Sequence, residues 1–313
     1  MYLVTGGSGF VGAAVVEALV NAGRRAVVFS RSGSTARLGG ATAGVVVERG
    51  DVTDAGQLRR VLTEYPVTAI IHLAFATDIG KLEADPSAGI DVNCRGFLNV
   101  LEAARAFAVN RVVWTSSAAV YGQDAKYGRL PIDEDASCHP LNVYGAYKVF
   151  CEAMAEHYHT KLAVSNIALR PTIVFGSGRW FRGAATYAYD LFHGPAAGAP
   201  VTLNCGDQLV DWLYVKDLAR AVLLACDADP SAGRVFNICG HIATVREAAS
   251  VMQELYPEAE IAVLPGKRPM WGPHLSSARA ERILGFKTEY SLAAAFRECV
   301  DELRVNCMFL KNQ

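Results

Sequence analysis

Residues 2–12 read YLVTGGSGFVG and run directly into AAVVEALVNAG. Four residues led by β-branched and aromatic types predict a strand, the apolar spacing from Phe10 onward predicts a helix, and glycines at 6, 9 and 12 predict a tight turn between them. Bare amides at a helix N-terminus favour a diphosphate, because the N–H groups and the positive end of the helix dipole both face the anion, and a side chain at the close-approach glycines would collide with it. Glycine strings are common by themselves. The strand before this one and the helix after it give it meaning.

Outward from this turn, short β-branched runs alternate with helix-period segments through the first 170 residues: AVVFS, VVVERGD, DAGQLRRVLTEY, AIIHLA, FLNVLEAARAFA, RVVWTS, YGAYKVFCEAMAEHY and VSNIALR. Continuous apolar strands separated by amphipathic helices are what a parallel sheet covered on both faces requires. The fold class is therefore α/β, a Rossmann-type doubly wound parallel sheet, with a smaller C-terminal mixed α/β substrate domain. We place the dinucleotide-binding domain at 1–170 and the substrate-binding region at 171–313, with segments of about 210–240 returning to the first. The pattern loosens after Arg170-Pro171 and is weakest at HGPAAGAP (193–200), while GSTARLGGATAG (33–44) reads as a mobile loop. Thr244 and Glu247 have capping-box spacing.

Thirty basic residues stand against 31 acidic ones over 313 positions, and no basic run interleaved with aromatics points to nucleic acid. The eight cysteines are scattered with no zinc spacing, so we expect reduced thiols, no metal and a cytoplasmic location. The longest apolar stretches, near ten residues, are too short for a bilayer, so no membrane partner is expected.

A dinucleotide site reads the ribose at the end of the second strand. Ser30-Arg31-Ser32 stands there in place of a carboxylate, and an arginine beside a hydroxyl suits a 2′-phosphate, so NADP is preferred and NAD remains possible. Further on, Tyr144 and Lys148 are four apart in a helix-period run, which turns both to one face, while Tyr147 points elsewhere.

With GDVTD at 50–54, TSSAAVYG at 115–122, YGAYK at 144–148 and RPTIVFG at 170–176, the turn resembles those of the extended short-chain dehydrogenase/reductase family, the NAD(P)-dependent epimerase/dehydratase group. The likeness extends over essentially the whole chain, including DWLYVKDLARA at 211–221. It implies that Gly6, Gly9 and Gly12 form the cradle, that Phe10 and Val11 give amides to the diphosphate, and that Asp51 and Val52 flank the adenine. It further implies that Leu73, Ala74 and Ala76 meet the middle of the cofactor, that Asn93 supports the neighbouring helix, and that Pro171 and Thr172 lie by the nicotinamide. Ser117, Tyr144 and Lys148 match the catalytic set, and Tyr144 and Lys148 are also expected to meet the cofactor, Lys148 at the nicotinamide ribose hydroxyls.

The chemistry suits those types. Hydride transfer at a carbinol carbon needs a proton moved at its oxygen, and a free phenol, with pKa about 10, is a poor base at neutral pH. An ammonium about 4.5 Å away at an effective dielectric near 20 favours the phenolate by roughly 3–4 kcal/mol.

Substrate class is less constrained. Dehydratases of this group carry an Asp-Glu pair after the catalytic hydroxyl; Ala118-Ala119 here cannot move protons. Val210 stands where nucleotide-sugar members usually carry an arginine, and Arg268-Pro269-Met270-Trp271 departs from their Arg-Pro-Gly-Asp. Trp180, Phe181, Tyr187 and Trp212 suggest an apolar pocket wall, and Arg179, Arg182 or Arg268 an anion clamp; ordinary packing and solvated arginines are the competing reading. We expect an oxidoreductase acting on a small, sugar-like or acidic hydroxy or keto compound, with a nucleotide-sugar 4-epimerase as the alternative and a non-catalytic NADP-binding regulator as a remote one. Apolar positions such as Val149, Met154 and Tyr158 suggest a homodimer through two helices of each subunit.

Overall fold

The computed structural model describes residues 1–40, 43–128, 130–183, 185–229, 233–267 and 274–311. The chain opens β1 (Tyr2–Thr5), α1 (Phe10–Asn21), β2 (Ala26–Ser30), β3 (Val45–Arg49), α2 (Ala55–Glu64), β4 (Ala69–His72), α3 (Ile79–Ala84) and α4 (Pro86–Ile90). A π-helical turn, Asp91–Arg95, leads into α5 (Gly96–Ala106), followed by β5 (Arg111–Thr115), α6 (Val143–Leu162) and β6 (Asn166–Pro171). The rest comprises β7 (Ile173–Phe175), α7 (Tyr187–Ala197), β8 (Val201–Leu203), β9 (Leu209–Tyr214), α8 (Val215–Asp227), β10 (Val235–Ile238), β11 (His241–Thr244), α9 (Val245–Leu255), β12 (Ile261–Val263), α10 (Ala278–Leu284) and α11 (Leu292–Lys311).

Seven strands form one parallel sheet in the order β3-β2-β1-β4-β5-β6-β10. Strand alternation sends Leu3, Val27, Ile70 and Val112 to the face covered by α2, α5 and α6, and Val4, Val28, Ile71 and Val113 to the face covered by α1 and α8. All eight side chains are fully buried, which is why these strands read as unbroken apolar runs. The order reverses between β1 and β4, so a crevice opens at their carboxyl ends, where the glycine turn lies.

The remaining strands form two small sheets. β7 pairs parallel and β11 antiparallel with β9, and β8 pairs parallel with β12. They enclose an aromatic core in which Phe175 and Phe192 stack at 5.0 Å and Phe296 meets both edge-on. The stretch 193–200 is more ordered than its composition suggests: α7 continues through Pro195 and ends at Gly198, whose φ of +65° suits a residue without a Cβ. Of the loop expected over 33–44, residues 41 and 42 lie outside the described residues, and the part around Leu38 is pinned, because that side chain joins the core of α1 and β2 and is 3% exposed. The Thr244–Glu247 capping box is present at the start of α9.

Candidate active site

A cleft of about 410 Å³ lies at the switch point, lined by Gly6, Ser8, Gly9, Ser30, Arg31, Arg37, Asp51, Val52, Leu73, Ala74, Phe75, Ala76 and Trp180, among others. Its floor is the glycine turn. Gly6 has φ +71°, and a Cβ there would stand 2.9 Å from the Ala74 nitrogen; one at Gly12 would stand 2.1 Å from the Gly6 carbonyl oxygen. No side chain caps α1 at Gly9, so its first-turn amides are left for a ligand anion. A bare cradle at an uncapped helix start fits a dinucleotide diphosphate.

Several residues assigned to the cofactor have their side chains engaged within the chain, which leaves the backbone amides assigned to Phe10 and Val11 as they were. Asn93 is fully buried, and its side-chain amide is spent on Ala76: Oδ1 accepts from the Ala76 N–H at 2.7 Å and Nδ2 donates to its carbonyl at 3.1 Å. It therefore positions the cleft wall instead of presenting a free group. The ring of Phe10 packs into the C-terminal aromatic core and against Gly176 and Gly178, and Val11 is half-buried beside it. Thr172 donates to Asp211 Oδ1 at 3.0 Å, immediately after Pro171 at the end of β6. Asp211 is buried with Oδ2 unpartnered, and burial pushes its carboxyl up to about 6.

Ser117, Tyr144 and Lys148 converge. Ser117 follows β5, accepts from the Ala119 N–H at 3.1 Å, and lies close enough to the Tyr144 phenol to favour its ionised form. Asn142 caps α6 by accepting from the Gly145 N–H at 2.8 Å, which fixes where Tyr144 and Lys148 emerge. Lys148 is fully buried; Nζ donates to the Thr115 carbonyl at 2.6 Å, lies 2.8 Å from the centroid of the Phe75 ring, and is 5.5 Å from that of Tyr144.

The electrostatics differ from the simple pairing expected. Burial brings Lys148 down to about 7 and raises the Tyr144 phenol above its ordinary value, with only the Ser117 hydrogen bond opposing it. Desolvation penalises ammonium and phenolate alike, so in the free chain the lysine does not yet activate the phenol. Beneath Phe75, His72 is buried and held neutral, near 3, by desolvation first and by Lys148 second; Nδ1 shares a 2.7 Å hydrogen bond with Thr5 Oγ1.

A buried network braces this set. Glu152, one turn beyond Lys148, accepts from Ser116 Oγ at 2.5 Å and from Arg170 Nε and Nη2 at 2.8 and 2.6 Å. Arg170 Nη1 continues to the Tyr121 hydroxyl, which bonds Asn237 Oδ1 at 3.0 Å. Neither Glu152, Arg170, His72 nor Phe75 stood out in the sequence, although Glu152 shares the helical spacing of Tyr144 and Lys148.

The substrate-side assignments are redistributed. Trp212 is fully buried in the aromatic core, its Nε1 donating to the Ala243 carbonyl, and Tyr187 is 3% exposed in the same core, so neither walls a pocket. Trp180 leans over the dinucleotide cleft. Arg182 is paired with Asp190 at 3.1 Å on the surface. Arg179 is buried, with Nη1 and Nη2 on the Val174 and Arg182 carbonyls, Nε unpartnered, and burial lowering it to about 10. Residues 268–271 lie outside the described residues. Among the described residues, no helix is long and apolar enough to cross a membrane.

Comparison with known proteins agrees with this architecture. The model of the NAD dependent epimerase/dehydratase family matches residues 2–239. The chain is 32% identical to the UDP-glucose 4-epimerase of Azospirillum brasilense, over 90% of this chain and 84% of that protein. A Thermus thermophilus UDP-glucose 4-epimerase, solved in complex with NAD, superposes with a TM-score of 0.84 at 27% identity, covering 97% of this chain and 98% of that one. An L-threonine dehydrogenase from Clostridium difficile shares the fold, with a TM-score of 0.84 at 22% identity over 97% of this chain and 98% of that one. The chain accordingly belongs to the NAD dependent epimerase/dehydratase family, and is an enzyme built for an NAD-type cofactor.

Proposed function

We propose that the chain is a nucleotide-sugar 4-epimerase, inverting a ring carbinol by removing and returning hydride. The observation that carries this is the convergence of Ser117, Tyr144 and the buried Lys148, followed by the buried methyls of Ala118 and Ala119. Hydride chemistry is provided for, and the proton-moving groups a dehydration needs are replaced by methyls. Similarity to a curated UDP-glucose 4-epimerase moves this reading ahead of the small-molecule oxidoreductase expected from sequence.

The bound cofactor supplies the hydride acceptor and donor. Tyr144 takes the proton from the reacting hydroxyl and gives it back, Ser117 donates a hydrogen bond to that oxygen, and Lys148 supplies the positive charge that makes the phenolate accessible. A second reading, a dehydrogenase of a small hydroxy compound, is favoured by one feature: Val210, at the position expected to neutralise a substrate diphosphate, is 2% exposed in the core. Incubation with UDP-glucose, UDP-galactose and UDP-glucuronate distinguishes them. Epimer formation without net NAD(P)H production supports the first; inertness towards all three, with reduction driven by a hydroxy acid, supports the second.

We also propose NADP over NAD, because Arg31 and Arg37 line the cleft where β2 ends in Ser30 without a carboxylate. Wild-type Kd values for NADPH and NADH test it, and tighter NADH binding overturns it. A homodimer through α5 and α6 is consistent with the exposed Phe107 and Phe150, although Tyr158 is spent within the chain on Glu102. A cytoplasmic location is consistent with seven free cysteines among the described residues.

A further inference from the structure

Two segments far apart in sequence meet across the mouth of the dinucleotide cleft. Arg37, from the loop after β2, sits with its guanidinium carbon 5.5 Å from the centroid of the Trp180 ring, which belongs to the loop after β7. Both residues line the cleft together with Gly6, Ser8, Gly9 and Arg31.

Arg37 is not placed at random. Its neighbour Leu38 is buried against α1 and β2, and Arg37 Nη1 donates to the Ser8 carbonyl at 3.2 Å, directly over the glycine turn. Among the described residues no ion pair involves Arg37 or Arg31, and the carboxylate in the cleft, Asp51, is turned to Thr53, whose N–H and hydroxyl both donate to its Oδ1 at 2.9 Å. Among the described residues, four of the five Arg37 guanidinium N–H groups thus have no carboxylate or carbonyl partner, in a cleft whose floor is built for phosphate.

Trp180 is equally suggestive. It is 62% exposed, more than any other large apolar side chain among the described residues, although its neighbour Phe181 packs against the C-terminal aromatic core. An indole held out over a cleft, with a guanidinium against its face, restricts the arginine's rotamers and directs its remaining donors inward.

We propose that Arg37 and Trp180 form a clasp over the adenosine half of the cleft, in which Arg37 pairs with phosphate oxygens of the bound dinucleotide and Trp180 holds the guanidinium in place. This deepens the cofactor reading above. It suits an epimerase, which returns hydride to the same substrate molecule and has no need to exchange its cofactor between turnovers.

The test is the affinity and dissociation rate of NADPH and NADH, followed by stopped-flow displacement on the full chain. Arg37→Ala weakens binding about tenfold or more, as loss of a charge-assisted hydrogen bond requires. Trp180→Ala quickens dissociation about two- to fivefold, and Trp180→Phe restores most of it. Because the tryptophan acts through the arginine, the double variant resembles Arg37→Ala alone. A larger loss for NADPH than NADH assigns the contact to the 2′-phosphate, and equal losses assign it to the diphosphate; both support the clasp. Rates within about twofold of wild type in both single variants, or effects that multiply in the double variant, overturn it. Both side chains are surface-exposed, so the free variants keep the wild-type melting temperature, and a fall in it would mark a structural effect. If wild type instead binds NADH more tightly, the NADP preference fails while the clasp is still judged by its own rates.

Discussion

Replacing Lys148 by methionine separates the cost of the catalytic ammonium from its use. Burial brings this lysine from 10.5 down to about 7 in the folded free chain, whereas the unfolded chain keeps the proton up to the higher value. Between those limits the unfolded state binds more protons, so the lysine's contribution makes stability rise with pH; its penalty is full below pH 7 and fades towards pH 10.5. Integrated from about pH 7 to 9, the change is about 2 kcal/mol. Methionine carries no charge but leaves the Thr115 carbonyl without the donor it has at 2.6 Å. That loss, about 1–3 kcal/mol, is independent of pH. The slope therefore carries the test, and the offset does not. Urea unfolding of both proteins at several pH values over this window, without added cofactor, gives the difference directly. Titration of groups remote from Lys148 cancels between the two proteins, whereas the thiols of Cys94 and Cys151, which feel its charge, shift with it and belong to the difference. The wild type should gain about 2 kcal/mol on Lys148→Met across the window. Parallel curves would refute the claim that a desolvated, unpaired ammonium sits in this site.

Tyr144→Phe should lose at least about a hundredfold in kcat while cofactor Kd is unchanged, as loss of an acid/base group requires; undiminished turnover would remove Tyr144 from the mechanism. Tyr147→Phe should keep its turnover, since that hydroxyl is directed away from the cleft to the Pro86 carbonyl, and should cost only about 1 kcal/mol in denaturant unfolding. Glu152→Met strands the Arg170 guanidinium, whose side chain is 5% exposed. It should destabilise the fold by about 3–5 kcal/mol, while Glu152→Met with Arg170→Met recovers much of that loss; equal losses in the two variants would count against a buried pair.

What could be read from sequence was local. The strand, glycine turn and helix at the N-terminus, the shared face of Tyr144 and Lys148, and the Thr244–Glu247 box each depend on residues within one turn of one another, so spacing alone specifies them. The misplacements have a common cause. Trp212 and Trp180 are both tryptophans that follow Arg170-Pro171, yet one fills a core and the other stands over the cofactor cleft, because Trp212 lies on β9, between β7 and β11, whereas Trp180 lies in the loop after β7. Composition cannot separate an aromatic core from an aromatic wall. The direction of the Tyr144 shift was missed for a related reason: a distance between two charges can be read from a helix, but the solvent removed from around them depends on Phe75 and His72 from another strand end.

The bracing network shows how the fold turns that long-range packing into catalytic geometry. Ser116 precedes Ser117 on the same strand exit, Glu152 follows Lys148 by one helical turn, and Arg170 precedes Pro171 at the end of β6. Each member thus stands one step behind a residue of the proposed site, and their hydrogen bonds join the end of β5, α6 and β6. Apolar side chains of similar volume could fill this space with equal or greater stability, since desolvation offsets most of the attraction in a buried ion pair. They would not fix register. A bidentate guanidinium–carboxylate pair tolerates little displacement, so an error of about 1 Å in the seating of α6, of the size that misaligns a reacting group, would break it. Because those hydrogen bonds are lost together, the network holds α6, which carries Tyr144, in register with the end of β5, which Ser117 follows.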